Sequence, residues 1–225
     1  MLPFDAKPLH FLKATPAQVA ASWPKDEPII ALIGNGSHSK WARWSVVAPA
    51  TGERLTIDGP EAMTKLRARV EDNPSTTLLP NWIGYLGYEL GIAIEPTTAS
   101  LPKQDWPLVD VVWCDKALVH DNKTDTWWSI GNLEPPKINA QLSSPLAYST
   151  LVDEDGDDSF TAAVQKTVEY IHAGDIFQAN ITRRFTTEID GDIRNAAISM
   201  LGQQGGWFGA WMEFPENGRF LLSMS

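Results

Sequence analysis

The most chemically specific stretch of the sequence is Tyr170-Ile171-His172-Ala173-Gly174-Asp175-Ile176-Phe177-Gln178-Ala179-Asn180-Ile181-Thr182-Arg183-Arg184-Phe185. It reads as a helix end, a glycine stop and then a strand. Successive strand side chains point to opposite faces, so Gln178, Asn180, Thr182 and Arg184 form one polar row. Phe177, Ala179, Ile181 and Phe185 point the other way with Arg183. Two amides, a hydroxyl and a guanidinium suit a small, anionic, oxygen-rich ligand. The row holds no serine, cysteine or carboxylate, so it supplies neither a nucleophile nor a general acid. A strand that simply faces water on that side is the plain alternative.

Other candidate motifs fail on spacing. Gly34-Asn35-Gly36 follows an apolar run, as a dinucleotide loop would, but Ser39 stands at the third glycine position and a hairpin turn is expected. No Gly-Lys-Ser/Thr is present. Asp153-Glu154-Asp155-Gly156-Asp157-Asp158 is out of register for a calcium loop, because Leu151 would be its first ligand. It reads as a solvated linker whose acids complement the dipole of the next helix. His10, His38, His120 and His172 lack metal spacing, so no metal site is assigned. Cys114 lies in an apolar run and reads as a buried structural thiol. The ten tryptophans leave a carbohydrate-binding module as a competing class. Most of them nonetheless sit in strand-like runs and are expected to pack in the core.

These residues need a scaffold, and the periodicity supplies one. A short helix is expected near Pro16–Ser22, and strands over Pro28–Ile33, Trp41–Ala48 and Glu53–Ile57. Trp41–Ala48 has one wholly apolar face, which predicts a half-buried strand. A helix should cover Glu61–Val70, with Pro60 at its first turn. Glycine-punctuated Trp82–Gly91 predicts a buried strand or close backbone packing, followed by strands at Val109–Trp113, Lys116–His120 and Thr126–Ile130. Gly131–Ser144 reads as a linker. Phe160, Ala163, Val164, Thr167, Val168 and Ile171 then recur at helical spacing, with Asp158 or Ser159 as cap and Gly174 as a left-handed stop. A long strand from Ile176 to Ile189, a helix over Asp192–Leu201, and a hairpin of Phe208–Phe214 and Arg219–Ser225 complete the chain. Mixed order with several hairpins predicts α+β rather than a doubly wound parallel sheet. Phe220, Leu222 and Met224 share a face that needs a partner, so the chain is expected to be a truncated one.

Composition narrows the class. The 225 residues are 43% hydrophobic and 20% charged, enough apolar surface for a packed core. A net charge of −10 disfavours bulk binding to nucleic acid or anionic lipid. No run approaches the ~18 apolar residues of a membrane span. The start lacks a basic segment followed by an apolar one, and a lone cysteine fits a reducing compartment. A cytoplasmic protein is the expectation.

The Tyr170–Phe185 stretch resembles the helix-to-strand entry of the chorismate-utilising enzymes, specifically component I of aminodeoxychorismate synthase and of anthranilate synthase. Trp82-Ile83-Gly84-Tyr85-Leu86-Gly87-Tyr88-Glu89 and Arg219-Phe220-Leu221-Leu222-Ser223-Met224-Ser225 agree with it. The resemblance covers the whole chain in order, but about the first half of the family's length. It implies two orthogonally packed, mostly antiparallel β-sheets flanked by helices, in α/β/β/α layers and incomplete here. Residues 1–145 would be the N-terminal domain and 155–225 the beginning of the chorismate-binding domain.

The resemblance further implies transfer of ammonia to chorismate, with a glutamine amidotransferase subunit or domain supplying the ammonia and Mg²⁺ holding the substrate carboxylate. The metal ligands, the catalytic histidine and a nucleophilic lysine are expected in the missing half, so no catalytic residue is assigned here. Relatives that add water carry a base lysine where this sequence has Gln178. A neutral amide cannot replace that base, so ammonia is the expected nucleophile. Gln178, Asn180, Thr182 and Arg184 become substrate-pocket candidates. Tryptophan-inhibited relatives carry Leu-Leu-Glu-Ser-like and Pro-Tyr-Met segments. Their counterparts here are Leu32-Ile33-Gly34-Asn35 and Trp207-Phe208-Gly209, which makes Asn35, Trp207, Phe208 and Gly209 effector-pocket candidates. Both segments depart from the pattern, which tilts the reading toward aminodeoxychorismate formation for 4-aminobenzoate and folate, with anthranilate synthase component I as the alternative.

Overall fold

The computed structural model describes residues 2–3, 5–37, 40–95, 105–139, 141–142, 146–204 and 206–225. Two compact units are present: 1–143 with 194–225, and 144–193. In the first unit, β1 (Lys7–Pro8) and α1 (Pro16–Ala21) precede β2 (Ile29–Ile33), β3 (Trp44–Pro49) and β4 (Arg54–Ile57). Next come α2 (Ala62–Asp72), β5 (Asn81–Leu86), α3 (Leu90–Ile94), β6 (Val109–Cys114), β7 (Ala117–Asp121) and β8 (Thr126–Ile130). The second unit holds β9 (Ala147–Tyr148), β10 (Val152–Asp153), α4 (Asp157–Ala173), β11 (Phe185–Thr186) and β12 (Ile189–Asp190). The chain then forms α5 (Ile193–Gln204), β13 (Gly209–Phe214) and β14 (Arg219–Met224).

The fold is α+β, and its layers follow from strand alternation. A seven-stranded antiparallel sheet runs β1-β8-β7-β3-β2-β13-β14, and a three-stranded one runs β4-β6-β5. Ile30, Val46, Ala48, Val119, Ile130, Met212 and Phe214 of the large sheet share one core with Val112 and Cys114 of the small sheet. The intervening residues Ile29, Ala31, Val47, Leu118, Trp127 and Trp211 point the other way and are also buried. Helix α1, with Val19 and Ala20 buried, contacts β2 and β3, and Leu201 of α5 stands against Gly209 of β13. A separate cluster of Ile57, Val109 and Val111 with Ala62 and Leu90 covers the far face of the small sheet with α2 and α3. The order helix, sheet, sheet, helix is therefore present within this unit.

Local signals explain the element ends. Thr15 accepts from the Gln18 N–H while the Gln18 side chain accepts from the Thr15 N–H, a capping box that starts α1 with Pro16 in its first turn. Gly174 ends α4 at φ 82, with its N–H and that of Asp175 closing on the carbonyls of Ile171 and Tyr170. Gly218 takes φ 59 in the β13–β14 turn.

Four expectations need correction. Ile176–Ile189 is not one strand, since residues 176–184 are irregular and only β11 and β12 form beyond them. Among the described residues no strand lies beside 176–184, and these largely exposed residues turn their N–H and C=O groups to water instead of to a ladder. Trp82–Gly91 ends as a strand at Leu86, and Leu90 begins α3. Trp44–Pro49 is buried on both faces rather than half-buried, because it is a central strand with a layer on each side. Gly156, not Asp158 or Ser159, stands at the start of α4, and no side chain caps that end.

Candidate functional site

The substrate-pocket candidates all lie in the second unit. Gln178, Asn180, Thr182 and Arg184 are exposed, and Phe177, expected on the apolar face, is 94% exposed. Arg184 stands 3.9 Å from Glu154, and its backbone N–H donates to Asp155 at 2.8 Å. Its neighbour Arg183 is the better anchored residue. The Arg183 Nε donates to Asp153 Oδ2 at 2.9 Å, and Nη2 donates to both Asp153 and Asp157. Those bonds push the Arg183 guanidinium up and hold the Asp153 carboxyl below its ordinary range, with the Arg183 hydrogen bond the leading cause. Asp153 Oδ1 also accepts from the Asp155 and Gly156 N–H groups at 3.2 Å. The acidic run is thus a clasp for Arg183 as well as the start of α4. Sequence spacing gave no sign of this, because the partners lie 30 and 26 residues apart.

The effector-pocket candidates lie in the first unit, and the fold does join their segments. Ile33 pairs with Gly209 and Leu32 with Ala210 across β2 and β13. Trp207 and Phe208 are half exposed, and the Phe208 N–H donates to the Ser225 carbonyl at 2.9 Å. The Asn35 side chain accepts from the Ser37 N–H at 3.0 Å. Two glycines leave no room for a side chain at this corner. A Cβ on Gly209 would sit 2.7 Å from Leu201 Cδ2 and 2.9 Å from the Ile33 carbonyl oxygen. One on Gly34 would sit 2.8 Å from the Ala42 carbonyl oxygen. Asn122 tightens this corner, donating to the carbonyls of Gly34 and Ala42 and to Ser45 Oγ at 3.0–3.2 Å. His120 Nδ1 approaches the Asn122 side-chain oxygen Oδ1 at 2.7 Å.

A second polar centre lies at one end of the sandwich. Asp110, 2% exposed, receives two bonds from Arg54, the Nε one at 2.7 Å. A cavity of about 250 Å³ opens beside them, lined also by Thr51, Glu213, Phe214 and Glu216. Glu213 is already satisfied by Arg194, by Trp211 Nε1 and by the Ile29 N–H. Burial pushes the neighbouring Tyr85 hydroxyl up to about 12, and Asp110 adds to that. Among the described residues no group of three or more His, Cys, Asp or Glu could hold a metal ion. His38 lies outside the described residues. Trp23, Trp127 and Trp211 pack in the core, 5%, 1% and 2% exposed, and bond internally, whereas Trp41 and Trp207 are exposed.

A profile of the chorismate binding enzyme family matches residues 42–225. This chain therefore belongs to the chorismate binding enzyme family. It is similar to a Synechocystis protein named anthranilate synthase component I-like protein, 28% identical over 177 residues. That match covers 68% of this chain and 36% of the relative, so the chain spans little more than a third of that protein's length. No helix among the described residues is long and apolar enough to cross a membrane.

Proposed function

We propose that this chain is the N-terminal part of an aminodeoxychorismate synthase component I-like enzyme, which aminates chorismate to 4-amino-4-deoxychorismate on the route to 4-aminobenzoate and folate. The observation that carries the reading is Gln178, an amide within the family-matched region, at the position where the resemblance implies a lysine in water-adding relatives. An amide cannot take a proton from water near neutral pH, so ammonia, already a nucleophile, is the favoured attacker. Asn180, Thr182 and Arg184 would then address the carboxylates and hydroxyl of chorismate. A glutamine amidotransferase would supply the ammonia, and Mg²⁺ would neutralise a substrate carboxylate from ligands outside this chain. The enzyme would work in the cytoplasm.

Anthranilate synthase component I is the second reading, favoured by the name of the Synechocystis relative. Closure of the corner at Gly34 and Gly209 speaks against a tryptophan-type effector pocket there and supports the folate branch.

The test is a product analysis with chorismate, ammonium and Mg²⁺. The 225-residue chain alone should leave chorismate unconsumed. A chimera carrying its matched segment in place of that of the Synechocystis protein should form 4-amino-4-deoxychorismate. Anthranilate as the sole product would overturn the folate branch, and a hydroxylated product would overturn the role given to Gln178. Ammonia-dependent loss of chorismate with the chain alone would show that it is no mere part of the enzyme.

A further inference from the structure

His120 lies buried in β7, opposite Ser45 of β3 on one side of the ladder and Trp127 of β8 on the other. Its ring tilts against the Trp127 indole at 4.8 Å. Each ring nitrogen meets one oxygen: Nδ1 meets Asn122 Oδ1 at 2.7 Å, and Nε2 meets Asp125 Oδ1 at 3.0 Å. The Asn122 amide cannot be turned round. Two partners of its Nδ2 are the Gly34 and Ala42 carbonyls, which only accept, so the nitrogen faces them and the oxygen faces His120. An amide oxygen only accepts too, so Nδ1 must carry a hydrogen. A carboxylate likewise accepts, so the contact with Asp125 needs a second hydrogen, on Nε2. This is the hydrogen-bond pattern of an imidazolium, and the proton it can release without breaking the Asn122 network is the one on Nε2. The next residue along, Asp121, is engaged by Arg43 and by the Lys123 N–H, and Ser45 and Trp127 bring no charge.

We propose that His120 is a proton-dependent latch with two separable contacts. Nδ1–H fixes the Asn122 amide in every protonation state, and through it the corner formed by Gly34, Ala42 and Ser45. Nε2 holds the β7–β8 turn through Asp125 only while it is protonated. Once Nε2 loses its proton, its lone pair faces a carboxylate oxygen and the contact turns repulsive. The Asp125 side chain is 91% exposed, on a residue at φ 50, and is free to swing into water. The turn then loosens while the corner stays tied. The latch lies wholly in the first unit and does not depend on the chorismate reading.

Long-range nitrogen–proton NMR correlations on the whole labelled chain read the two ring nitrogens directly. In the neutral ring the hydrogen should sit on Nδ1. A bare Nδ1 with the hydrogen on Nε2 overturns the proposal, and this readout needs no variant. Substitutions then separate the contacts, because the asparagine side-chain nitrogen stands where Nδ1 is and the glutamine nitrogen where Nε2 is. The Gly34 N–H, which donates to Ser45 Oγ, reports the corner. Its hydrogen exchange should stay within about threefold of wild type in His120→Asn and quicken by roughly tenfold or more in His120→Gln. Equal rates in the two variants overturn the role given to Nδ1. In the wild type, a scan from about pH 5 to 8 should move the Asp125 carboxyl carbon resonance in step with the His120 ring. His120→Asn should abolish that step. An Asp125 resonance that does not follow the His120 ring in the wild type overturns the role given to Nε2.

Discussion

Replacing Asp110 with asparagine should destabilise the chain far more than its modest change in size suggests. Asp110 lies in β6, the middle strand of the small sheet, and is 2% exposed, while the Arg54 side chain is 12% exposed. Their two hydrogen bonds pair a guanidinium with a carboxylate that water hardly reaches. In Asp110→Asn an amide NH₂ faces the guanidinium, donor against donor, and the buried cation loses its counter-charge. Breaking one side of a buried pair costs about 3–5 kcal/mol. Glu216, 3.4 Å from Arg54 Nη1 but 72% exposed, offsets a part, so about 3 kcal/mol is expected. At roughly 2–4 °C per kcal/mol for a chain of this size, Tm should fall by ~6–12 °C. Urea denaturation followed by tryptophan fluorescence gives the free energy directly. A double-mutant cycle with Arg54→Met should show coupling of at least ~2 kcal/mol, because the double variant leaves no unpaired charge. A loss under ~1 kcal/mol for Asp110→Asn, or no coupling, would refute the claim that this pair is buried and mutually dependent.

Adding a side chain at this corner should also cost stability: Gly209→Met pushes against Leu201 and the Ile33 carbonyl and should lower stability by about 1–3 kcal/mol in the same denaturation assay. The Cys114 thiol, pushed up to about 12 chiefly by burial, should react with a disulfide reagent at pH 8 on the order of 10³-fold slower in the folded chain than in urea. Hydrogen bonds from Arg43 lower the Asp121 carboxyl, and bonds from Arg183 lower that of Asp153. Their contribution is complete above the unfolded carboxylate value near 3.8 and disappears as pH falls through the lower folded values. Circular dichroism from pH 6 to 2 should therefore show loss of structure only below about pH 4, and Arg43→Met should lessen the dependence.

Much of the first unit was legible because each strand carries its own evidence. Ile29–Ile33, Arg54–Ile57, Ala117–Asp121, Thr126–Ile130 and the closing hairpin announce themselves through apolar runs between turn residues. What the period-two pattern could not disclose is which strands have neighbours. Trp44–Pro49 reads as one-sided because Ser45 is polar, yet Ser45 is buried and bonded to the Gly34 N–H. Ile176–Ile189 reads as a strand because its residues alternate, but alternation is necessary and a ladder partner is decisive. The candidate row was visible as chemistry, whereas the Arg183 clasp was not, since ion pairs between distant residues leave no local trace. Glycines 34 and 209 looked like mere departures from a family pattern, and only backbone proximity gives them a steric reason.

The pairing of β2 with β13 also bears on synthesis. Ile33 meets Gly209, so the central sheet cannot close until roughly 175 further residues have left the ribosome. At about 5–20 residues per second that is a wait on the order of 10–35 s. During it, Ile29-Ile30-Ala31-Leu32-Ile33 has β3 on one side and an open edge on the other, an apolar, uncharged segment of the kind that recruits foreign strands. Holding nascent chains until residue 214 emerges is thus a task for chaperones, and slow translation through the middle of the message would lengthen the hazard rather than relieve it.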